Sequence, residues 1–226
     1  MIQPLDEFIA DAMAFFAALP PTKYADALPC GYLCGWRSWD VWNIMQWADF
    51  QSDDVLLDCG AFQTFAALYF SQFVGVVSAT DSFYWEQRDF IKEQNLPSSA
   101  DWMLTVRELG HKKVIPYPMD LQAIDQPDGM YDKITCISTI EHVLDDHKAM
   151  SEMLRVLKPD GRLLLTTEFD EVRSKDYSES DGSWYRVYNR ETWNALLAPY
   201  KVLYQCVSDQ PHQHWFTVAF AVIVKE

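Results

Sequence analysis

The chain has 226 residues, of which 49% are hydrophobic and 15% aromatic, so it can bury one sizeable core and is not a disordered chain. Its 33 acidic and 18 basic residues give a formal net charge of -15, which repels phosphate backbones and predicts no nucleic-acid partner. The first residues lack the basic segment of a signal peptide, and the apolar stretches are too short to span a bilayer as helices. We therefore expect a cytoplasmic protein with no membrane partner. The five scattered cysteines predict reduced, mostly buried thiols and no metal site.

Two helices are predicted before the first strand. Apolar residues recur at helical spacing over residues 5–19, and Pro20 and Pro21 end that helix. A second helix is predicted to begin at Ser38, a residue type that is favoured as an N-cap. The loop between the two helices is rich in glycine and aromatic residues.

From residue 55 onward, short apolar runs alternate with helical patterns. Strands are predicted at residues 55–57, 74–79, 113–117, 131–138 and 162–167, and helices at residues 64–72, 84–94, 98–109 and 145–157. This alternation predicts an α/β fold of βαβ units around a parallel sheet. Residues 201–207 and 215–225 form two more strands with a short connection, which predicts a terminal antiparallel hairpin.

The first candidate binding residues follow the first strand. Asp58, Cys59 and Gly60 lead through Ala61 and Phe62 into the next helix, an arrangement that directs backbone N–H groups toward a ligand. Glycine allows the backbone to come close to that ligand. Taken alone, an ordinary strand–turn–helix explains this segment equally well.

Three further segments lie at the ends of later strands. Asp81 follows the second strand about 20 residues after the glycine turn, a spacing that suits a carboxylate accepting both hydroxyl protons of a ribose. Asp120 and Leu121 follow the third strand, where a carboxylate beside a backbone N–H can bind a purine amino group. A solvent-facing loop explains Asp120 better when it is taken alone. Ser138 and Thr139 end the fourth strand. Because ligands of open α/β sheets bind outside the carboxyl ends of strands, the four segments together predict one ligand-binding cleft.

This set of segments resembles the class I S-adenosylmethionine (SAM)-dependent methyltransferases over roughly residues 54–226. The family's first motif is similar to the turn at residues 58–60, its ribose-binding acid to Asp81 and its adenine-side acid to Asp120. Residues 140–143 and 157–164 resemble the segments often written E-H-V and L-K-P-G-G. The resemblance implies SAM as cofactor and a Rossmann-like, seven-stranded, mostly parallel sheet with helices on both faces and a reversed seventh strand. The cofactor contacts expected at the strand ends are Asp58, Gly60, Ala61, Phe62, Asp81, Asp120, Leu121, Ser138 and Thr139.

Two glycines of the family's first motif are replaced. The family usually reads D-x-G-x-G-x-G, and Phe62 and Thr64 stand in place of the second and third glycines. The Phe62 side chain either packs between strand and helix or fills the pocket for the methionine end of SAM. We expect packing, because the ribose and adenine acids are both present. A filled pocket would make the chain a non-catalytic pseudoenzyme. An NAD-dependent oxidoreductase is the less favoured alternative, since G-x-G-x-x-G is absent after the first strand.

The acceptor side is predicted from aromatic and basic residues. Residues 1–53 are expected to be a helical segment that caps the active site, and residues 54–226 the methyltransferase domain. His142 is the candidate general base, although a structural role at a helix start explains it somewhat better. Aromatic rings beside an arginine suit a flat or acidic small molecule as methyl acceptor. The acceptor contacts expected from two segments that face each other are Trp36, Arg37, Trp184, Tyr185 and Arg186.

Overall fold

The computed structural model describes residues 3–20, 37–62, 64–87, 98–178, 185–209 and 216–226. The first half of the chain contains α1 (Leu5–Ala18), α2 (Ser38–Trp47), β1 (Val55–Cys59), α3 (Ala66–Phe70), β2 (Val76–Asp81), a 3-10 helix (Tyr84–Gln87) and α4 (Ser99–Leu109). The second half contains β3 (Val114–Pro118), β4 (Tyr131–Ile137), a 3-10 helix (Ile140–His142), α5 (Asp146–Val156), β5 (Leu157–Phe169), α6 (Arg190–Leu197), β6 (Lys201–Val207) and β7 (Thr217–Val224).

Seven strands form one sheet in the order β3-β2-β1-β4-β5-β7-β6. The first five strands of the chain pair in parallel, whereas β7 lies antiparallel between β5 and β6. The predicted Rossmann-like sheet with a terminal antiparallel hairpin is confirmed. The strand order changes direction between β1 and β4, so the carboxyl ends of these two strands border the crevice where such sheets bind ligands.

Apolar side chains cover both faces of the sheet. Alternate residues of each strand point to opposite faces, and the two resulting cores are separate clusters of buried residues. Helices α1 to α4 pack on one face around Phe8, Phe70 and Trp102, while α5 and α6 pack on the other around Met153 and Trp193. The N-terminal helices therefore share a core with the sheet, and the capping role of residues 1–53 stays a prediction.

Several boundaries differ from the sequence prediction. Ser38 is the first residue of α2, and Arg37 is its N-cap. The third helix begins later than predicted because Phe65 takes a left-handed φ of 50° immediately before it. The fifth strand begins at Leu157 because α5 ends at Val156 and the chain pairs at once with β4. Residues 88–94 of the predicted helix lie outside the described part of the chain.

Helix α6 is missing from the sequence prediction. Its start is fixed by a capping box in which the Asn189 side chain accepts from the Thr192 N–H at 2.9 Å and the Asn189 N–H donates to Thr192 Oγ1 at 3.0 Å. Trp193, Leu196 and Leu197 are the buried residues of this short helix. Within the described ranges, no helix is both long and apolar enough to cross a membrane.

Candidate functional site

The turn after β1 is pressed against the end of β4. Gly60 has a φ of 71°, which glycine adopts without the strain of a side chain. A Cβ atom on Gly60 would lie only 2.0 Å from Thr139 Oγ1. Thr139 is held in place because its hydroxyl donates to the carbonyl oxygen of Ile137 at 2.9 Å. Glycine is therefore required at this turn by backbone conformation and by space.

Asp58 supplies a buried carboxyl group at the base of the same turn, with 1% of the residue exposed. Its Oδ1 accepts from Thr135 Oγ1 at 2.7 Å, whereas its Oδ2 is buried without a hydrogen-bond partner. Burial raises the pKa of Asp58 from 3.8 to about 7; the Thr135 hydrogen bond lowers the pKa, the charge of Asp81 adds to the rise, and the backbone N–H of Ala67 opposes it. A buried carboxylate with few donors is costly to ionise, which is why the pKa of Asp58 is raised, and its role toward a ligand stays a prediction.

Asp81 joins the loops that follow β1 and β2. Its Oδ1 accepts from the Phe83 N–H at 2.7 Å, and its Oδ2 accepts from the Phe62 N–H at 3.3 Å. The Ala61 N–H donates to the Thr80 carbonyl at 2.9 Å and holds the two loops side by side. Burial raises the pKa of Asp81 to about 6, and the two backbone N–H groups oppose that rise. Each carboxylate oxygen keeps a lone pair that can accept from a ribose hydroxyl.

The residues that replace the family's glycines are part of the packing. Phe62 is 7% exposed, and its ring meets those of Phe83 and Trp102 edge-to-face at centroid distances of 5.5 and 5.8 Å. Thr64 is buried; its hydroxyl donates to the Ala61 carbonyl at 3.2 Å and accepts from the Ala66 N–H at 3.3 Å. The Phe62 ring thus packs against α4, as expected from the sequence, while its N–H donates to Asp81.

The loops after β3 and β4 complete this edge of the sheet. Asp120 is exposed, and its Oδ1 accepts from the Gln122 N–H at 2.9 Å in a local turn, while Leu121 is buried in the core. The Met119 N–H donates to the Asp81 carbonyl at 2.9 Å, which brings the β3 loop beside the β2 loop. Ser138 has a φ of 42°, and its Oγ is buried without a hydrogen-bond partner. The predicted cofactor residues therefore lie at adjacent strand ends, with Asp58 in β1, Asp81 at the end of β2 and the others in the loops that follow the strands. Their individual roles stay predictions.

A buried acidic cluster beside these loops is absent from the sequence prediction. Glu141 is fully buried; its Oε2 accepts from Thr167 Oγ1 at 3.0 Å, and its Oε1 has no hydrogen-bond partner. Burial raises the pKa of Glu141 to about 7, opposed by the positive charge of Arg37. The pKa of Glu168 also rises to about 7, first through burial and then through the charge of Glu141. Arg37 is buried and lies 3.4 Å from Asp40.

Several predicted acceptor residues lie around this cluster. The Arg186 N–H donates to the Glu141 carbonyl at 2.8 Å, so residues 185–186 approach the same end of β4 and β5 as Arg37. The half-buried His142 ring lies 5.9 Å from the Tyr185 ring, and Lys175 Nζ lies 3.6 Å from the centre of that ring. Trp36 and Trp184 lie outside the described residues. The prediction that the two segments face each other therefore depends on the positions of the neighbouring residues Arg37, Tyr185 and Arg186.

Arg186 mainly holds the loop before α5 in place through hydrogen bonds and ion pairs. Its Nε lies 2.9 Å from Asp176 and 3.4 Å from Asp146. Its other two nitrogens donate to the carbonyl oxygens of Val143 and Leu144. Since all three guanidinium nitrogens have partners, the geometry favours a structural role over the predicted contact with an acceptor.

Sequence comparison relates the chain to methyltransferases. Residues 98–165 match a family described as a methyltransferase domain. The chain is 28% identical over 177 residues to the uncharacterized methyltransferase YcgJ of Bacillus subtilis, a match that covers 74% of this chain and 64% of YcgJ. It is 34% identical over 103 residues to the ubiquinone/menaquinone biosynthesis C-methyltransferase UbiE of Pseudoalteromonas translucida, covering 42% of this chain and 39% of UbiE. The chain therefore spans less than two thirds of the length of these relatives.

Solved structures share the fold. The crystal structure of YcgJ aligns with a TM-score of 0.61 at 18% identity, covering 81% of this chain and 97% of YcgJ. A second similar structure is 1,6-didemethyltoxoflavin-N1-methyltransferase of Burkholderia thailandensis, with bound 1,6-didemethyltoxoflavin and S-adenosylhomocysteine (SAH). It aligns with a TM-score of 0.64 at 14% identity, covering 100% of this chain and 92% of that protein. At these identities the structural matches establish the architecture of the sheet and its helices.

Proposed function

We propose that this chain is a class I SAM-dependent methyltransferase that transfers a methyl group from SAM to a small-molecule acceptor. The observation that carries the proposal is the way Asp81 joins two strand-end loops: its carboxylate accepts from the Phe62 N–H beside the Gly60 turn. This arrangement supports the proposal because a carboxylate can accept from two ribose hydroxyls, and Asp81 lies near a glycine turn at the crevice where such sheets bind ligands.

The residues at this crevice suit SAM in charge. SAM carries a sulfonium and an ammonium group, and Asp58 offers a buried carboxylate oxygen that has no donor. Gly60 gives the turn no side chain of its own, and the Thr139 side chain at the end of β4 lies directly against it. We assign Asp58, Gly60, Ala61 and Phe62 to the methionine end, Asp81 to the ribose, and Asp120 with the Leu121 backbone to the adenine. Ser138 and Thr139 line the crevice from β4.

The proposed reaction needs little covalent chemistry from the protein. Bound SAM supplies an activated methyl group. The residues of the chain contribute by holding the acceptor in line with that group and by excluding water from the cleft. His142 is the proposed base for an acceptor that must lose a proton, because it lies at the end of β4 beside Tyr185.

A flat or acidic small molecule is the proposed acceptor. Tyr185 lies beside His142 after β4, and the charge of the buried Arg37 at the start of α2 acts on the neighbouring Glu141. Trp36 and Trp184 are proposed to extend this region toward the acceptor. The names of two similar proteins support this class. One was solved with bound 1,6-didemethyltoxoflavin, and the other is a C-methyltransferase of ubiquinone and menaquinone biosynthesis. The net charge of -15 makes nucleic acid an unsuitable acceptor, and a cytoplasmic location stays part of the proposal.

A thermal-shift experiment with SAM, SAH and NAD tests this function. A ligand present at a hundredfold excess over its Kd stabilises the folded state by about 2.7 kcal/mol, which raises the Tm of a chain of this size by roughly 5–10 °C. We expect this shift with SAM and SAH and none with NAD. A shift with NAD alone would indicate an oxidoreductase. No shift with any of the three ligands would indicate a protein that does not bind the cofactor.

A further inference from the structure

Glu168 lies near the carboxyl end of β5, where this strand runs past the end of β4. The last residue of β4, Ile137, pairs with Thr166, whereas β5 continues beyond it. There β5 stays paired with β7 on its other side. The 3-10 helix that follows β4 approaches β5 here, as the hydrogen bond between the Thr167 and Glu141 side chains shows. The end of β5 therefore borders the acceptor side of the crevice proposed above.

The Glu168 side chain points to the same face of the sheet as Asp58. The pairing of β5 with β7 is unbroken, so side chains alternate along β5 and Glu168 shares a face with Leu164, which lies in the core beneath α1 to α4. Asp58 shares that face with Leu56 by the same alternation along β1. Since β4 is the one strand between β1 and β5, the ends of β1 and β5 are about 10 Å apart. This separation suits a small acceptor that lies between Glu168 and a methyl donor bound at the β1 turn.

The Glu168 carboxylate is only half-buried and has no direct partner in the described part of the chain. Among the residues that the structure describes, none forms a hydrogen bond or an ion pair with it. The backbone is nevertheless fixed, because the Glu168 carbonyl accepts from the Tyr188 N–H at 3.1 Å. The neighbouring Glu141 differs, since it is fully buried and is held by the Thr167 hydroxyl and by its own backbone N–H. Of these two carboxyl groups, Glu168 is the one that remains available to a ligand.

Charges on three elements surround Glu168. Glu141 and His142 belong to the 3-10 helix after β4, Arg37 is the N-cap of α2, and Lys175 lies in the loop after β5. Burial is the main cause that raises the pKa of Glu168 to about 7, and the charge of Glu141 adds to the rise, whereas Arg37, His142 and Lys175 oppose it. The ionised carboxylate is thus poorly solvated, and a ligand that donates a hydrogen bond to it would recover part of that cost.

An aromatic ring lies beside this carboxylate. The Tyr185 ring is 5.9 Å from the His142 ring and 3.6 Å from Lys175 Nζ, and the charges of His142 and Lys175 both act on Glu168. A flat ligand can pack against such a ring. An O–H or N–H group of the same ligand can then donate to the carboxylate.

We propose that Glu168 is a specificity-determining residue: its carboxylate accepts a hydrogen bond from an O–H or N–H group of a flat acceptor and so selects acceptors that carry such a donor. Phenols and N–H heterocycles are the chemical class that fits. This inference rests on the proposed function, because the acceptor must lie beside bound SAM. An acceptor of the same shape without the donor would leave the carboxylate unpaired and desolvated, so it should bind more weakly.

Binding of a matched pair of probes to the full chain saturated with SAH tests the proposal. 2-Naphthol is a flat phenol that keeps its proton at about pH 8, and 2-methoxynaphthalene has the same rings without the O–H group. Fluorescence titration gives both Kd values, and the natural protein should bind 2-naphthol about tenfold more tightly than 2-methoxynaphthalene. Glu168→Gln, which keeps the shape but removes the charge, should bring the two Kd values to within about twofold of each other. Glu171→Gln is the matched control, because Glu171 is an exposed residue of the loop after β5 that pairs with Arg190, and this variant should keep the natural ratio.

Each outcome has a distinct meaning. Equal Kd values for the two probes in the natural protein, or a ratio that Glu168→Gln leaves unchanged, would overturn the role of Glu168. Binding of SAH with no binding of either probe would overturn it as well. These results leave the proposed function standing, whereas a natural protein that binds neither SAM nor SAH would refute the proposed function itself. Should Glu168→Gln fail to fold, Glu168→Asp decides: it keeps the charge but withdraws the carboxylate, so it should lower the ratio, and an unchanged ratio would overturn the proposal.

Discussion

Replacing Phe62 with glycine should destabilise the protein while leaving SAM binding nearly unchanged. The Phe62 ring is 7% exposed and packs against Phe83 and Trp102. Truncating a buried phenylalanine to alanine costs about 3–5 kcal/mol, and glycine adds about 0.5–1 kcal/mol through backbone entropy. The expected loss is therefore about 3.5–6 kcal/mol. The Phe62 N–H that faces Asp81 is present in both proteins, so the site should keep its affinity for SAM.

Urea unfolding measures the loss of stability, and calorimetry measures the Kd of SAM for the folded protein. Phe62→Leu is the matched control, because it keeps an apolar side chain and should lose less than half as much stability as Phe62→Gly. Unchanged stability in Phe62→Gly, together with much tighter SAM binding, would refute this reasoning. That result would mean that the Phe62 ring fills the methionine pocket and that the natural protein is a pseudoenzyme.

Three further changes test the site. Asp81→Ala should weaken SAM by roughly 1.5–3 kcal/mol in calorimetry, because two charge-assisted hydrogen bonds to the ribose are lost; an unchanged Kd would place the ribose elsewhere. The pKa of Asp58 is raised from 3.8 to about 7, so the folded state holds a proton that the unfolded chain loses, and stability falls as the pH rises from about 4 to about 7. Asp58→Asn removes the carboxyl group that must lose this proton. The variant should be more stable than the natural protein in urea at pH 8, by at most about 4 kcal/mol, but not at pH 4. Equal stability at pH 8 would argue against a buried carboxylate. Gly60→Ala should be strongly destabilising in thermal unfolding, because its Cβ would lie 2.0 Å from Thr139 Oγ1. The double variant Gly60→Ala/Thr139→Gly should recover part of that loss, and no recovery would show that the left-handed backbone alone causes it.

The parts of the fold that the sequence predicted are those with a strong local signal. Buried parallel strands read as short apolar runs, so β1 to β4 are found near their predicted positions. The short connection before β7 was enough to predict its reversed direction. Helix α6 was missed because it is short and its start depends on a side-chain cap at Asn189 rather than on a long periodic pattern.

The candidate site was only partly visible in the sequence. Asp58 and Asp81 stand out because each lies at the end of a predicted strand, and because the two strands follow one another in the chain. Glu141 did not stand out, since its burial and raised pKa arise only when the chain brings Arg37 and Thr167 to the end of β4. The partners of Arg186 were likewise hidden, because the carbonyl groups of residues 143 and 144 reach it only in the folded protein.

The central claim is that SAM binds at the carboxyl ends of β1, β2 and β4, and a crystal structure of the protein with SAH tests it most directly. We predict that the ribose hydroxyls will lie about 2.5–3.0 Å from the Asp81 carboxylate, with the methionine end beside Gly60 and Asp58. The Phe62 ring should remain against Trp102. SAH bound away from Asp81, or a Phe62 ring in the space of the methionine end with no SAH at millimolar concentration, would contradict the account.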